Sequence, residues 1–481
     1  MNQPSYSRRD AIKTMGLGAA ALSLGATHRG WGSEKPNVLM IAVDDLRPQL
    51  NCYGHRQMHS PNIDRLAEQG CLFTHAYCQI AVCGASRASL LTGLRPTPTR
   101  FTSYRTWAEE DAPESLSLPK HFRNHGYHTV SNGKIYHHAN DQRAGWSEDP
   151  WTPPSNPGVS WRDYVKPENI ELDKSPDHRG PAYESAEVED DAYRDGKLLK
   201  KSVDDLSRLK EQDAPFFLAV GFYKPHLPFN APKKYWDLYE WEKIDLADNP
   251  FRPYGAPDQA LHNWGELRNY YGIPSSGPLD DDLARTLVHG YYACVSYTDA
   301  LIGRLLDELD RLGLRDNTIV VLWGDHGWNL REHGLWCKHC NFETSVHSPV
   351  IVNAPGMQAG TQTDGLIEYV DIYPSLCELA GLPVPDGLQG TSFVPLMNEP
   401  ERPWKKAAFS RWGNGETART ERYRYMEWTN NNGEVTARAL FDHQKDPHEN
   451  INVADQLENQ KVVAAMHEMI EKGWKHARPA G

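Results

Sequence analysis

The sequence predicts an α/β fold: a central, mostly parallel sheet flanked by helices, followed by a smaller C-terminal α+β unit. Three observations predict it. Continuous apolar runs at Val38–Val43, Phe216–Tyr223 and Ile319–Trp323 have the character of strands buried on both faces, as a parallel sheet requires. Helical patterns fall between them, most clearly over Asp281–Leu312, where Leu283, Leu287, Tyr291, Cys294, Val295, Thr298, Ile302, Leu305 and Leu309 recur on one face. After about residue 400 the pattern turns to short strands at Ala407–Arg411, Arg422–Trp428 and Ala439–Asp442, then a helix over Val462–Lys472.

The remaining elements follow from local chemistry. Pro61–Ala67 opens a helix, with Ser60 as its expected N-cap and Gly70 at its end. Ser86–Leu91 is a second helix. His128-Thr129-Val130 leads a short strand into Gly133-Lys134, and Val350–Val352 is another strand. Asn430-Asn431-Asn432-Gly433 is a turn. Residues 146–190 and 243–280, rich in Pro, Gly, Asn, Asp and Trp, break the pattern. Long irregular segments in a compact domain are usually functional, so they are expected as rims of a pocket, with plain surface insertions as the alternative.

The chain has 481 residues, enough for one large domain and one small one. The expected division is 1–33 as a leader and linker, 34–405 as the main domain and 406–481 as the C-terminal unit. Net charge is −13 with no basic block, which argues against non-specific nucleic-acid binding. Ser7-Arg8-Arg9 before the apolar stretch Met15–Ala26 reads as a twin-arginine export signal. That stretch is too short to span a bilayer comfortably, so the expectation is a protein of the periplasm or beyond, without a stable membrane span. Eight cysteines show no dense disulfide framework. Cys337 and Cys340 resemble half a zinc knuckle but lack a second pair; they read as packed thiols or a disulfide formed after export.

Ligands of an open parallel sheet bind at the carboxyl ends of its strands. The three apolar runs lead there into Asp44-Asp45, Lys224-Pro225-His226 and Asp325-His326. Adjacent carboxylates repel, and a cation resolves the repulsion; one solvated acid and one helix cap is the alternative. Asp325 and His326 strengthen the metal reading. The oxygen-rich set favours Ca²⁺ or Mg²⁺, with His326 softer than ideal. Cys83 stands at the start of a helix, near its positive end, with Arg87 one turn on. A buried thiol is the other reading of Cys83, and sulfur beside hard-cation ligands is chemically odd. Taken singly, Lys134 and His137 read equally as surface residues, His226 as a packed loop histidine and Trp328 as core.

Cys83-Gly84-Ala85-Ser86-Arg87-Ala88-Ser89-Leu90-Leu91-Thr92-Gly93 resembles the signature of formylglycine-dependent sulfatases, in which the cysteine is oxidised to an aldehyde. Val43-Asp44-Asp45-Leu46-Arg47-Pro48, Gly133-Lys134-Ile135-Tyr136-His137, Gly221 to His226, Asp325-His326-Gly327-Trp328 and Glu332 to Lys338 resemble blocks of the iduronate-2-sulfatase branch. Leu440-Phe441-Asp442 and Asp446-Pro447-His448-Glu449 resemble its C-terminal subdomain. One departure is Ala85, where that branch has proline; alanine occurs in related motifs.

The resemblance implies an alkaline-phosphatase-like fold and hydrolysis of sulfate monoesters of a saccharide. It implies one Ca²⁺ held by Asp44, Asp45, residue 83, Asp325 and His326. Hydrated formylglycine at 83 attacks sulfur with one hydroxyl and expels sulfate with the other, an exit that a plain serine ester lacks. In the same reading Arg87 steadies the hydroxyls, Lys134 binds sulfate and His137 is the base that triggers collapse. His226 and Lys338 bind the ester and protonate the leaving alcohol, and Trp328 joins them at a substrate carboxylate. Three Asp against Ca²⁺, Lys134, Lys338 and Arg87 leave the pocket positive by about two charges. The implied partners are a sulfated saccharide, a formylglycine-generating maturation enzyme and the twin-arginine (Tat) export machinery. Two alternatives stand: a phosphoesterase of the same superfold, and a non-catalytic sulfated-glycan-binding protein with Cys83 unmodified.

Overall fold

The computed structural model describes residues 35–479; the leader at 1–33 lies outside the described residues. Its centre is a seven-stranded sheet. The strands in chain order are β1 (Asn37–Val43), β2 (Cys71–Phe73), β3 (His128–Gly133), β4 (Phe216–Phe222), β5 (Thr318–Gly324), β6 (Val350–Asn353) and β7 (Thr361–Thr363). Their spatial order is β7-β2-β6-β5-β1-β4-β3. β5, β1, β4 and β3 form a parallel block, whereas β6 runs antiparallel to both β5 and β2. The sheet is thus mixed, with its parallel part where the apolar runs are longest. Every residue of β1, β4 and β5 is buried, which explains why these strands are apolar without alternation.

Alternate residues of those strands feed two cores. Leu39, Ile41, Leu218, Val220, Val320 and Leu322 pack with the long helix Asp281–Arg311, here α3, through Leu287, Tyr291, Val295, Ile302 and Leu305. The Asp280 carboxylate caps α3 by accepting the Leu283 N–H at 2.8 Å. On the other face Val38, Met40, Phe217, Ala219, Ile319 and Val321 pack with Cys83–Thr92, here α2, through Ala85, Ala88, Leu90 and Leu91. α1 (Pro61–Gln69) forms as expected, but Ser60 does not cap it. The Ser60 hydroxyl accepts the Asn51 N–H and donates to Asp64 instead.

A four-stranded antiparallel meander follows: β8 (Ala408–Trp412), β9 (Gly415–Arg419), β10 (Tyr423–Thr429) and β11 (Val435–Asp442). β9 escapes sequence reading because Gly415-Glu416-Thr417-Ala418-Arg419 has no long apolar side chain. Its place comes from pairing on both edges. α4 (Gln460–Lys472) covers this sheet through Val463 and Met466. No helix of the described residues is long and apolar enough to cross a membrane.

Candidate active site

The register of the parallel block builds the site. Val43 lies opposite both Gly324 and Phe222, and Gly133 lies opposite Gly221. Asp44-Asp45, Asp325-His326, Tyr223-Lys224 and Lys134 therefore leave the sheet at one edge. Gly221 is required there: a Cβ on it would collide with the Lys134 carbonyl. α2 points its first turn at the same edge and delivers Cys83.

Four ligand candidates are essentially sealed from solvent: Asp44, Asp45, Asp325 and His326. The Asp45 N–H donates to Asp325 Oδ1 at 2.9 Å, and the Tyr291 hydroxyl donates to the Asp45 carbonyl at 2.9 Å. Those bonds hold Asp45 in the left-handed region, at φ 59°, where few residues other than glycine settle. Cys83 Sγ lies 3.3 Å from His326 Nε2 and 3.8 Å from Asp45 Oδ1. Nδ1 of His326 faces the Gly327 carbonyl at 2.9 Å, which leaves Nε2 turned toward this cluster.

Three cations surround the acids. Arg87 is fully buried; its Nε donates to Asp325 Oδ2 at 2.9 Å, one Nη to Asp44 Oδ1 at 3.1 Å and the other to the Lys134 carbonyl. Lys134 Nζ pairs with Asp44 Oδ2. Lys338 Nζ donates to both Asp45 oxygens, at 2.9 and 3.1 Å. Burial alone would push the Asp44 carboxyl up, but Lys134 and Arg87 hold it well below the usual range. Burial and the neighbouring Asp44 charge push the Asp45 carboxyl up, so its charge is under-compensated. Burial and the Asp44 carboxylate also push the Cys83 thiol well above its usual range. An unmodified Cys83 is thus a neutral thiol and a weak nucleophile.

The site opens into a cavity of 610 Å³ lined by Asp44, Cys83, Lys134, His137, His226 and Lys338, among others. Burial and the Lys134 ammonium push the His137 imidazole down to about 2, which keeps it neutral, and its Nδ1 has no hydrogen-bond partner. His226 Nδ1 meets the Leu227 carbonyl at 2.6 Å and its Nε2 meets Glu266 Oε1 at 3.1 Å. Both neighbours are acceptors, so the ring is held between them. Trp328 reaches the cluster through Lys338. It is buried, its ring backs Lys338 Nζ at 4.9 Å, and it is not among the residues that line the cavity.

Sequence reading brought ten of these residues to one place but missed others. Glu266 comes from the irregular segment 243–280 and reaches Lys338 at 3.4 Å as well as His226. It removes one unit from the positive balance counted from sequence. Thr152, Trp161 and Arg179 come from the segment 146–190, and Arg194 follows it. No spacing marked them. Cys337 and Cys340 stand as free, buried thiols, and Cys340 Sγ is 2.9 Å from the Ser345 hydroxyl.

The family model described as Sulfatase matches residues 36–382, most of the described chain. The chain belongs to the sulfatase family. A second model, N-sulphoglucosamine sulphohydrolase, C-terminal, matches residues 331–476. Human iduronate 2-sulfatase is 36% identical over 420 residues, covering 78% of this chain and 75% of the relative. A sulfatase of Formosa agariphila is 30% identical over 462 residues, covering 91% and 87% respectively. Among solved structures, one in complex with its substrate D-glucosamine-2-N,6-O-disulfate has a TM-score of 0.72 at 22% identity, covering 91% of this chain and 97% of that one. The phosphonate monoester hydrolase of Agrobacterium radiobacter has a TM-score of 0.74 at 24% identity, covering 91% and 95%. These two share the fold. As a sulfatase the protein is a sulfuric ester hydrolase.

Proposed function

We propose that this sulfatase cleaves O-sulfate monoesters of saccharides, with a formylglycine hydrate at position 83 as nucleophile and Ca²⁺ as its metal. One observation carries the reading: Cys83 sits in hydrogen-bond reach of a buried Asp45/Asp325/His326 cluster on the floor of an open cavity. The donor set fits a hard divalent ion. It consists of three carboxylates and one imidazole, and Asp45 remains under-compensated despite Lys338. Asp44, Asp45, Asp325, His326 and residue 83 would hold the ion, which supplies positive charge beside the sulfate oxygens. The modified residue would supply two hydroxyls on one carbon, so that attack and release both come from the same side chain. A neutral thiol offers neither, which favours the modification over catalysis by Cys83 itself.

The other residues have roles that follow from their contacts. Arg87 ties Asp44 to Asp325 and fixes the acids against which residue 83 rests. Lys134 and Lys338 present ammonium groups to sulfate oxygens from opposite sides of the cluster. His137, neutral and with Nδ1 free, takes a proton from a hydroxyl at residue 83. His226, held between Leu227 and Glu266, gives one to the leaving alcohol. Trp328 acts through Lys338, whose ammonium it backs. The 36% identity to human iduronate 2-sulfatase supports a sulfated uronate as the saccharide. The Ser7–Ala26 stretch supports twin-arginine export to the periplasm or beyond, after conversion of Cys83 by a formylglycine-generating enzyme.

The test pairs mass spectrometry of the Cys83 peptide with desulfation of defined sulfated saccharides and a matched phosphate ester. Loss of the thiol sulfur, turnover of the sulfate esters, no turnover in Cys83→Ala and a large rate loss in His137→Ala are expected. An intact thiol in fully active protein, or preference for the phosphate ester, overturns the reading.

A further inference from the structure

The cavity wall carries cations that the catalytic cluster does not use. Lys134 and Lys338 pair with Asp44 and Asp45, and Lys224 is buried with its ammonium on the His226 and Pro228 carbonyls. Arg179 and Arg194 differ. Both line the cavity, and neither forms an ion pair with a carboxylate among the described residues. Their neighbour Arg162 shows the contrast, since it is paired with Asp173 at 2.7 Å.

The two arginines both meet Trp161, one at its ring and one at its carbonyl. Arg179 lies over Trp161 at 6.0 Å and over Tyr270 at 5.3 Å. Arg194 lies over Tyr223 at 4.2 Å; its Nε donates to the Pro153 carbonyl and one Nη to the Trp161 carbonyl, which leaves the other Nη for a ligand. Asp163 takes the backbone N–H of Arg194, not its guanidinium. Trp161 is 49% exposed, an unusual state for an indole in a cavity wall. Its ring meets His226 edge-on at 6.1 Å. A leaving alcohol protonated by His226 therefore has Trp161 as the adjoining aromatic surface.

We infer that Trp161, Arg179 and Arg194 form a second subsite, which takes an anionic group on the sugar that carries the scissile sulfate. The inference rests on the sulfatase reading above and adds to it. Trp161 offers a flat apolar face to a pyranose ring. A guanidinium without a carboxylate partner keeps its charge and its open N–H groups for a carboxylate or a sulfate. The inner lysines are paired with Asp44 and Asp45, which leaves these arginines as the recognition charge for the remote group. The irregular segment 146–190 supplies two of the three residues, so substrate choice is built on an insertion and catalysis on the sheet.

The experiment compares a disaccharide with a 2-O-sulfated uronate, its carboxyl-reduced analogue, a disulfated neutral analogue and 4-nitrophenyl sulfate. Wild type is expected to prefer one or both acidic sugars over the reduced one, and the preferred arm tells carboxylate from sulfate. Arg179→Gln and Arg194→Gln should lower kcat/KM for that arm by about tenfold to a hundredfold, the range of one charge-assisted contact. Both should leave 4-nitrophenyl sulfate turnover and the melting temperature unchanged, and Arg179→Lys should recover part of the loss. Equal losses on the acidic and reduced sugars, or no loss on either, overturn the subsite. Calorimetric binding of the same disaccharides reads the arginines without turnover. A wild type that cleaves none of the four esters yet binds the acidic sugar through Arg179 sinks the sulfatase chemistry and leaves the subsite standing; one that does not bind it sinks the subsite.

Discussion

Replacing Glu266 by glutamine keeps the shape of the side chain and deletes one charge. Glu266 is ionised: burial opposes it, but Lys338 and His226 hold its carboxyl well below the usual range. Its contact with His226 Nε2 at 3.1 Å is one charge-assisted hydrogen bond, and its contact with Lys338 at 3.4 Å is a weaker one. Lys338 keeps both bonds to Asp45 in the variant, so the loss falls on His226. Hydrogen bonds to charged groups contribute about 1.5–3 kcal/mol. About 2 kcal/mol lost in holding His226 toward the leaving alcohol is about a thirtyfold fall in kcat. KM should stay level or fall, because a negative charge facing an anionic substrate has gone. Steady-state kinetics on a defined sulfate ester, with melting curves as a control for folding, checks both parts. An unchanged kcat, or a loss confined to KM, would refute the assignment of Glu266 as the partner that orients His226.

Two further predictions concern stability. Chelation should lower the melting temperature and Ca²⁺ should restore it, since ligand at a hundred times its Kd adds about 2.7 kcal/mol; no shift in either direction would remove Asp44, Asp45 and Asp325 as a metal site. Glu368 accepts two bonds from Arg95, both at 2.6 Å, one from Lys405 at 2.8 Å and the Phe409 N–H of β8 at 2.8 Å. Burial would raise its carboxyl, but Arg95 and Lys405 bring it from 4.5 down to about 2. The unfolded chain then takes up a proton before the native one does. The contribution, about 3 kcal/mol, is complete above pH 4.5 and is lost as pH falls toward 2. Glu368→Gln should therefore be less stable in urea at neutral pH, and the gap should close through that window. A gap that stays constant with pH refutes the linkage.

Much of the site was legible in the chain itself. Runs with no polar residue, such as Val38–Val43, announce strands buried on both faces, because only such strands have no side that needs to meet water. The signature from Cys83 to Gly93 and the acids after Val43 and Gly324 name the chemistry, since few other uses exist for adjacent carboxylates beside a helix-start thiol. Local sequence could not supply what depends on cross-chain contact. β9 is a strand because β8 and β10 pair with it, not because of its side chains. Ser60 abandons its cap because Asn51 and Asp64 compete for its hydroxyl. Trp328 packs edge-on against Phe229 and backs Lys338, contacts with residues distant in the chain.

The sequence by itself determined the sheet, the helix that delivers Cys83 and the set of acids and bases around it. Only the tertiary structure decided which charges remain unpaired. Glu266, Trp161 and Arg179 sit in irregular segments whose conformation has no period to read, and Arg194 opens the helix that follows one of them. Their partners lie tens to hundreds of residues away, and a guanidinium is paired or free according to distances that only the folded chain fixes.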